Sequence, residues 1–412
     1  MQFIADFHIH SKYSRATSKD MDPAHIAEWA KLKGINLMGT GDFTHHLWLE
    51  ELKHNLEDTG NGLFKHKDIH FILSAEISSI YSKRGKGYRI HNLILAPSFK
   101  TVDKINETLS RYGNLASDGR PILGMDAEEI ARIVFDIDEN CMVIPGHIWT
   151  PWFSLFGSMS GFNKIGDCFE KQTEKIFALE TGLSSDPAMN WRLSALDRFA
   201  LVSNSDSHSP AKIGREANVF DCEFSYQAIR EALRSKDKNK LLYTIEFFPE
   251  EGKYHFDGHR LCGIRWSPKE TREHNQKCPK CGKSVTVGVM NRVEQLADRP
   301  QGYTPSNAIP FKSLIPLDEI IADAKGVSKT TVGVEREYRS CIAKFGTEFE
   351  ILLKADGGQL KKGLPARIAE GVLRMRQGRV SKQAGFDGEY GKISLFTEEE
   401  GPKEPEKQLS LF

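Results

Sequence analysis

Phe3-Ile-Ala-Asp-Phe-His8-Ile-His10 decides how the rest of the chain is read. An apolar run that ends in His-x-His describes a strand whose last residues carry chemistry. Side chains two positions apart on a strand face the same way, so both imidazoles reach one ion. Two surface histidines would give the same pattern, and the company they keep decides between the readings. Glu76 closes Phe71-Ile-Leu-Ser-Ala-Glu76, His91 opens His91-Asn-Leu-Ile-Leu95, and His147 follows Val143-Ile-Pro-Gly146. Asp206 and His208 stand just beyond Leu201-Val-Ser-Asn204. Each lies at the border of an apolar run.

Further apolar runs cover Ile35–Thr40, Met142–Pro145, Ile176–Glu180 and Ala200–Ser203, with amphipathic segments between them. One of these segments is bracketed by Asp22 as N-cap, Pro23 in the first turn and Gly34 as stop, which predicts a helix. Strands separated by helices predict an α/β fold of parallel units. No Gly-x-Gly-x-x-Gly follows a strand, and polar residues recur at strand ends. A distorted (β/α) barrel over residues 1–240, with the histidines and carboxylates collected at one rim, fits both facts.

The 412 residues are 39% hydrophobic and 27% charged, enough for a sizeable core and two or three domains. Lys plus Arg and Asp plus Glu both number 56, so net charge selects neither a polyanion binder nor an acidic disordered chain. No apolar run approaches the ~18 residues a membrane span needs, and the first residues have no basic region or cleavage site of a secretory leader. Seven cysteines, two of them in Cys278-x-x-Cys281, point to thiols and a metal site in a reducing cytoplasm. The expectation is a monomer in the cytoplasm, with no membrane partner.

Residues 241–300 read as a small module stapled by one structural zinc. His259-x-x-Cys262 and Cys278-x-x-Cys281 have ribbon-type spacing, and His274 competes with His259 for the fourth position. Seven basic residues, Arg260 to Lys283, face only Glu270 and Glu273 there, which suits a phosphate backbone. Residues 301–396 read as a helical domain with helices over Leu317–Ala324, Val334–Ala355 and Pro365–Gln377. From Lys361 to Lys382, seven basic residues oppose Glu370 alone. Leu360-Lys-Lys-Gly-Leu-Pro365 reads there as a loop leading into a helix start, whose free N–H groups would bind phosphate. Trp149, Trp152, Phe153 and Phe156 lie just past His147, as core or as a stacking pocket for an extruded base. Glu180–Asp186 would line the same pocket. Residues 397–412 form an acidic tether ending in Gln408-Leu409-Ser-Leu411-Phe412, shaped as an anchor for an apolar groove.

The histidine and carboxylate set resembles that of the polymerase and histidinol phosphatase (PHP) superfamily of metal-dependent phosphoesterases, over about residues 1–220. By that resemblance His8, His10, Glu76 and Asp206 hold one ion, and Glu76, His91 and His147 a second. His208 and Asp42 would face a third. Arg15 stands where many members carry histidine, and would contact phosphate. Two or three divalent ions (zinc, manganese or magnesium) are implied. With the zinc module and basic helical domain added, the chain to about residue 396 resembles the endonuclease Q family. The residues that carry this are Asp6-Phe-His-Ile-His-Ser-Lys-Tyr-Ser14, Gly146-His-Ile-Trp-Thr-Pro-Trp-Phe153, Asn204-Ser-Asp-Ser-His-Ser209 and Cys278-Pro-Lys-Cys-Gly-Lys283.

The resemblance implies a DNA-repair nuclease that cuts double-stranded DNA on the 5′ side of uracil, hypoxanthine, xanthine and abasic sites, with Asp206, Glu76 and Arg15 catalytic. The terminal pentapeptide is similar to the peptide by which bacterial repair proteins bind the sliding clamp. The alternatives are a small-molecule phosphoesterase of the same superfamily and a non-catalytic, clamp-tethered scaffold. The zinc module and basic stretch have no use in the first, and the complete ligand set has none in the second.

Overall fold

The computed structural model describes residues 1–397 and residue 400. The anchor residues Gln408, Leu409, Leu411 and Phe412 lie outside the described residues. Among those described, no helix is long and apolar enough to cross a membrane, and every cysteine is a free thiol.

Seven strands close a ring. They are β1 (Gln2–Asp6), β2 (Leu37–Gly39), β3 (Ile69–Lys83), β4 (Lys86–Ala96), β5 (Met142–Pro145), β6 (Ala178–Glu180) and β7 (Ala200–Val202). β1, β2 and β3 pair in parallel, as do β6 and β7. Single backbone bonds join the seams: Ile148 N donates to Glu180 O (3.0 Å), and His10 N to Ser207 O (2.9 Å). The all-parallel expectation fails at β4, which runs antiparallel to both β3 and β5. The cause is local. Arg84 and Gly85 both have positive φ (52° and 77°), a two-residue turn whose twist folds β3 straight back on itself.

Alternation sorts the side chains. Phe3, Ala5, Phe7, Ile72, Leu93, Leu95, Met142, Ile144, Ala200 and Val202 fill one end of the barrel interior. The same inward parity carries on to Glu76 on β3 and His91 on β4, so the polar set occupies the other end. α1 (Pro23–Lys33) is capped as its sequence predicts: the Asp22 carboxylate accepts from Ala24 N and His25 N, and Gly34 is left-handed (φ 89°).

β8 (Ala217–Asp221) and β9 (Leu241–Glu246) extend the sheet beyond β1. β10 (Phe311–Ser313) joins β9 in parallel, so the lead-in to the C-terminal helices is hydrogen-bonded to the barrel. Between β9 and β10 lies the cysteine-bearing segment, which ends in α2 (Val289–Leu296). The C-terminal helices are α3 (Leu317–Lys325), α4 (Val332–Phe345), α5 (Gly357–Gly363) and α6 (Ala366–Arg376). The predicted Val334–Ala355 helix breaks at Gly346 (φ 90°), and a π-turn over Glu350–Lys354 follows. A buried ion pair clasps this region to the barrel: Lys33 Nζ on α1 lies 2.6 Å from Glu348 Oε2, which also accepts from Tyr338 Oη.

Candidate active site

Strand ends and the turns after them deliver the site. β1 stops at Asp6, so His8 and His10 sit beyond the strand in extended chain, both fully buried. Asp42 (φ 49°), His147 (φ 27°) and Asp206 (φ 45°) hold positive φ. A non-glycine residue in that region costs on the order of 1–3 kcal/mol, a strain that clusters where a side chain must be aimed.

Glu76 is the centre, and its two oxygens serve different neighbours. Oε2 lies 3.6 Å from His8 Nε2 and 3.3 Å from His10 Nε2. Oε1 lies 2.7 Å from His91 Nδ1 and 3.1 Å from His147 Nε2. Asp206 Oδ1 approaches His10 Nε2 (3.1 Å) and His8 Nε2 (3.8 Å). Three donor groups of metal-binding size result: His8, His10 and Glu76; Glu76, His91 and His147; and His10, Asp206 and His208. Two observations show that the residues fit cations. His8 Nε2 is buried with no hydrogen-bond partner among the described residues. His91 Nδ1 and His147 Nε2 lie 3.1 Å apart, two imidazole nitrogens converging on one carboxylate oxygen.

The electrostatics follow from burial and charge. Burial raises the Glu76 carboxyl, but the charges of His91, Arg120 and His8 outweigh it and hold the group well below its ordinary range. Burial lowers the His8 pKa, and Glu180 and Glu76 more than reverse that. For His91 burial wins, bringing its pKa down to about 4. An ionised Glu76 carboxylate beside a neutral His91 imidazole is the donor state that a divalent ion requires.

A further layer aims these ligands. His8 Nδ1 faces Glu180 Oε1 (3.0 Å), and Glu180 also accepts from His147 N and Asn204 Nδ2. His10 Nδ1 faces Asp42 Oδ1 (3.0 Å). Asp42 therefore does not face a third ion: Ser11 and Ser14 take its other oxygen, and it props His10 from behind. Arg15 is also displaced from its predicted place. Its side chain is 86% exposed, with Nε 3.9 Å from Asp118. The guanidinium at the centre is Arg120, whose Nη1 lies 3.1 Å from Glu76 Oε2. No sequence signal marked Arg120. Glu180 carried the same mark as Glu76, a carboxylate ending an apolar run.

Of the four aromatics after His147, Trp149 and Phe156 are 1% exposed and pack on each other at 5.0 Å. They are core and have no face to offer a base. Phe153 lies 4.8 Å from His91, and Trp152 is exposed, edge-on to Tyr254. The carbonyls of Phe156 and Phe162 both accept from the buried guanidinium of Arg292 on α2, which fixes this loop.

In the cysteine segment, His259, Cys262, Cys278 and Cys281 converge. His274 is engaged elsewhere, stacked on Trp266 at 4.4 Å. Desolvation raises the Cys278 thiol, but the backbone N–H groups of Cys281 and Lys280 bring it down to about 7, toward the metal-binding thiolate. Much of the basic charge in the helical region is already committed. Arg376 donates to the carbonyls of Ile351, Leu352 and Ala355, and Arg374 pairs with Glu370 and Glu400. Leu360–Gly363 belongs to α5 instead of a loop. The α5 N-terminus is closed by the Asp356–Gln359 capping box, so its N–H groups are not free for phosphate. Lys361 and Lys362 remain exposed.

The family described as MJ0043 C-terminal domain matches residues 316–379. A protein of Methanocaldococcus jannaschii, MJ0043, is 33% identical over 72% of this chain, and the match spans 39% of that relative's length. The crystal structure of the lesion-specific endonuclease PfuEndoQ from Pyrococcus furiosus superposes with a TM-score of 0.86 at 32% identity. It covers 96% of this chain and 95% of that one. An endonuclease Q complexed with a 27-mer duplex carrying an abasic lesion at the active site gives 0.86 at 31% identity, over 99% and 100% of the two chains.

Proposed function

The chain belongs to the endonuclease Q family, and on that premise we propose that it is a metal-dependent DNA-repair endonuclease, hydrolysing the phosphodiester on the 5′ side of deaminated bases and abasic sites. The observation that carries the reading is the split of Glu76 between two imidazole pairs. That arrangement suits paired ions clamping both oxygens of an in-line displacement.

His8, His10, Glu76 and Asp206 would hold one ion and Glu76, His91 and His147 another, with His208 able to share a third beside His10 and Asp206. When bound, such ions acidify a water and neutralise charge on phosphate. The chain's own residues do the rest. Glu180 and Asp42 engage the Nδ1 atoms of His8 and His10, which leaves each Nε2 lone pair facing the centre. Arg120 presents a cationic N–H beside the bridging carboxylate, where a phosphate oxygen can accept it. Trp152 and Phe153 are the aromatic faces left for bases at the rim.

The remaining parts extend the reading. His259, Cys262, Cys278 and Cys281 would hold one structural zinc, and the exposed lysines of the knuckle and of α5 would follow the duplex backbone. Residues 1–240 would then cut, 241–300 and 301–396 grip the duplex, and 397–412 tether the chain. Gln408, Leu409, Leu411 and Phe412 would dock on the sliding clamp, in a cytoplasmic, nucleoid-associated monomer. The test is cleavage mapping on end-labelled duplexes carrying one uracil, hypoxanthine or abasic site. Nicks on the 5′ side that need added divalent ions and vanish in Asp206→Asn are expected. Equal rates for Asp206→Asn and wild type would refute the assignment. Deleting Gln408–Phe412 should abolish clamp binding and spare nicking of short duplexes.

A further inference from the structure

The loop that carries Asp206 and His208 has its two feet at Ser205 and Gly214, and one buried side chain holds both. Asp6, fully buried at the end of β1, accepts from Ser205 N at Oδ1 (3.1 Å) and from Gly214 N at Oδ2 (3.0 Å). Arg215 closes the same feet from outside, donating through Nε to the Ser205 carbonyl (2.9 Å). The carboxylate stands where a strand ladder has run out. β1 pairs with β8 only as far as Ala5 and Asn218, and among the described residues no ladder joins β1 to β7. Past Ala5 the seam is stitched by side chains and single bonds: Phe7 N donates to Asn204 Oδ1 (2.9 Å), and His10 N to Ser207 O (2.9 Å). Backbone N–H groups buried at such a gap need acceptors, and Asp6 supplies two of them at once.

We propose that Asp6 is a positioning residue for the metal centre, setting how far Asp206 reaches toward His8 and His10. The inference rests on the ligand set assigned above and deepens it. That ion's donors come from both sides of the seam, His8 and His10 from the chain that follows β1 and Asp206 from the loop that follows β7. Asp206 Oδ1 stands 3.1 Å from His10 Nε2 and 3.8 Å from His8 Nε2. The loop turns at Asp206 itself, in the strained left-handed region (φ 45°), so a shift at Ser205 passes directly into the aim of the carboxylate. The other ion's donors do not depend on the seam. Glu76, common to both ions, and His91 belong to strands joined by a continuous ladder, in which Glu76 pairs with Leu93 and Ser78 with His91. His147 follows β5, which is laddered to β4. Asp6 therefore governs the ion that Asp206 serves and spares the one held by Glu76, His91 and His147.

Asparagine at position 6 keeps the size of the side chain but replaces one acceptor oxygen by an NH₂ group. That group would face an N–H, donor against donor, and one foot of the loop would come free. Every metal-donor side chain remains, and only the spacing across the seam is loosened. Affinity for the ion should fall while the reaction at saturating metal persists.

The test strips the barrel of the full chain with a mild chelator, leaves the knuckle zinc-loaded and titrates Mn²⁺, with bound ions counted by electron paramagnetic resonance. Wild type, Asp6→Asn, Arg215→Ala and Tyr226→Phe are compared. Tyr226 Oη lies 2.9 Å from the carbonyls of Leu95 and Asn140 at the apolar end of the barrel, so its removal loosens the fold without touching the seam. Asp6→Asn should weaken Mn²⁺ binding by about 10- to 100-fold at one site, the range for groups that orient metal ligands, and leave one ion bound as tightly as in wild type. Arg215→Ala should act in the same direction on the same ion, and Tyr226→Phe on none. Nicking of an abasic duplex by Asp6→Asn should fall at low Mn²⁺ and recover at saturating Mn²⁺, a rescue that a damaged fold would not show. Equal weakening of every ion, no weakening, or the same weakening in Tyr226→Phe overturns the proposal, as does nicking that stays low at saturating Mn²⁺. If Asp6→Asn does not fold, Arg215→Ala decides alone: selective loss upholds the proposal and unchanged binding overturns it. A wild type that takes up no Mn²⁺ in the barrel refutes the metal-centre reading itself. One that takes up Mn²⁺ but does not nick refutes the nuclease reading, and the binding comparison still judges Asp6.

Discussion

His10 and Asp206 stand 196 positions apart and share one centre, whereas His259 and Cys281 are 22 apart. His8, His10, Glu76, His91 and His147 are buried, while Asp206 and His208 are partly exposed at the mouth of the site. They hang from seven strands whose apolar interior is packed without their help, and carboxylates behind His8 and His10 aim them. The knuckle has only Trp266, Cys278 and Val285 as a core, and Leu261 between its ligands is 83% exposed. One site is made by a fold; the other makes its fold. Ions should be removable from the barrel without unfolding it, while the knuckle should melt when its metal leaves.

The largest expected effect tests the knuckle. Structural zinc contributes on the order of 10 kcal/mol to small modules. Cys278→Ser should lose one ion per chain by metal analysis and abolish hydrogen-exchange protection over residues 257–287, leaving protection in β3 and β4 unchanged. Retained protection in the knuckle would mean it folds without metal, and the contrast would fail. Next comes the barrel. Glu76→Gln should lower nicking by about 10³-fold or more while its Tm stays within about 3 °C of wild type. A collapsed Tm would show that the centre supports the fold after all.

Much of the barrel was legible because each ligand marks the border of an apolar run, and such borders are where β/α folds expose side chains. The α1 caps were equally plain. The reversal at β4 is hidden because its two-residue turn is Arg84-Gly85, with arginine where asparagine or aspartate would signal the left-handed conformation both residues adopt. Arg120 was invisible, since a guanidinium inside a loop looks like any surface charge until its carboxylate partner is known. Counting charge between Lys361 and Lys382 failed for the converse reason: Arg374 and Arg376 are consumed inside the helical region.

That distinction gives a third, smaller effect. Arg376→Ala leaves three carbonyls without their donor and should destabilise the helical region by about 2–3 kcal/mol in denaturant melts. Lys361→Ala with Lys362→Ala should leave the melt alone and reduce the slope of log affinity against log salt by about 2. Identical salt slopes would remove α5 from the DNA surface.

The smallest effect concerns β9, away from the ligands. Burial raises the Glu246 carboxyl from 4.5 to about 8, with Asp186 adding to the shift, and Glu216 beside it is raised as well. A raised carboxyl contributes fully below about pH 4.5, and that stability drains away as pH climbs through 8. Glutamine has no proton to lose, so Glu246→Gln should be more stable than wild type by about 2 kcal/mol at pH 8.5, the gap closing toward pH 5. A gap that is constant with pH would show that the carboxyl is ionised throughout.

The clasp between Lys33 and Glu348 bears on how this architecture can be inherited. A companion domain that covered this seam without a carboxylate in the place of Glu348 would bury the Lys33 ammonium unpaired, and an orphaned buried charge is penalised far more than an intact pair is rewarded. Gene shuffling can therefore not give the barrel a different companion without first rewriting that seam, so the two halves are inherited as a matched set.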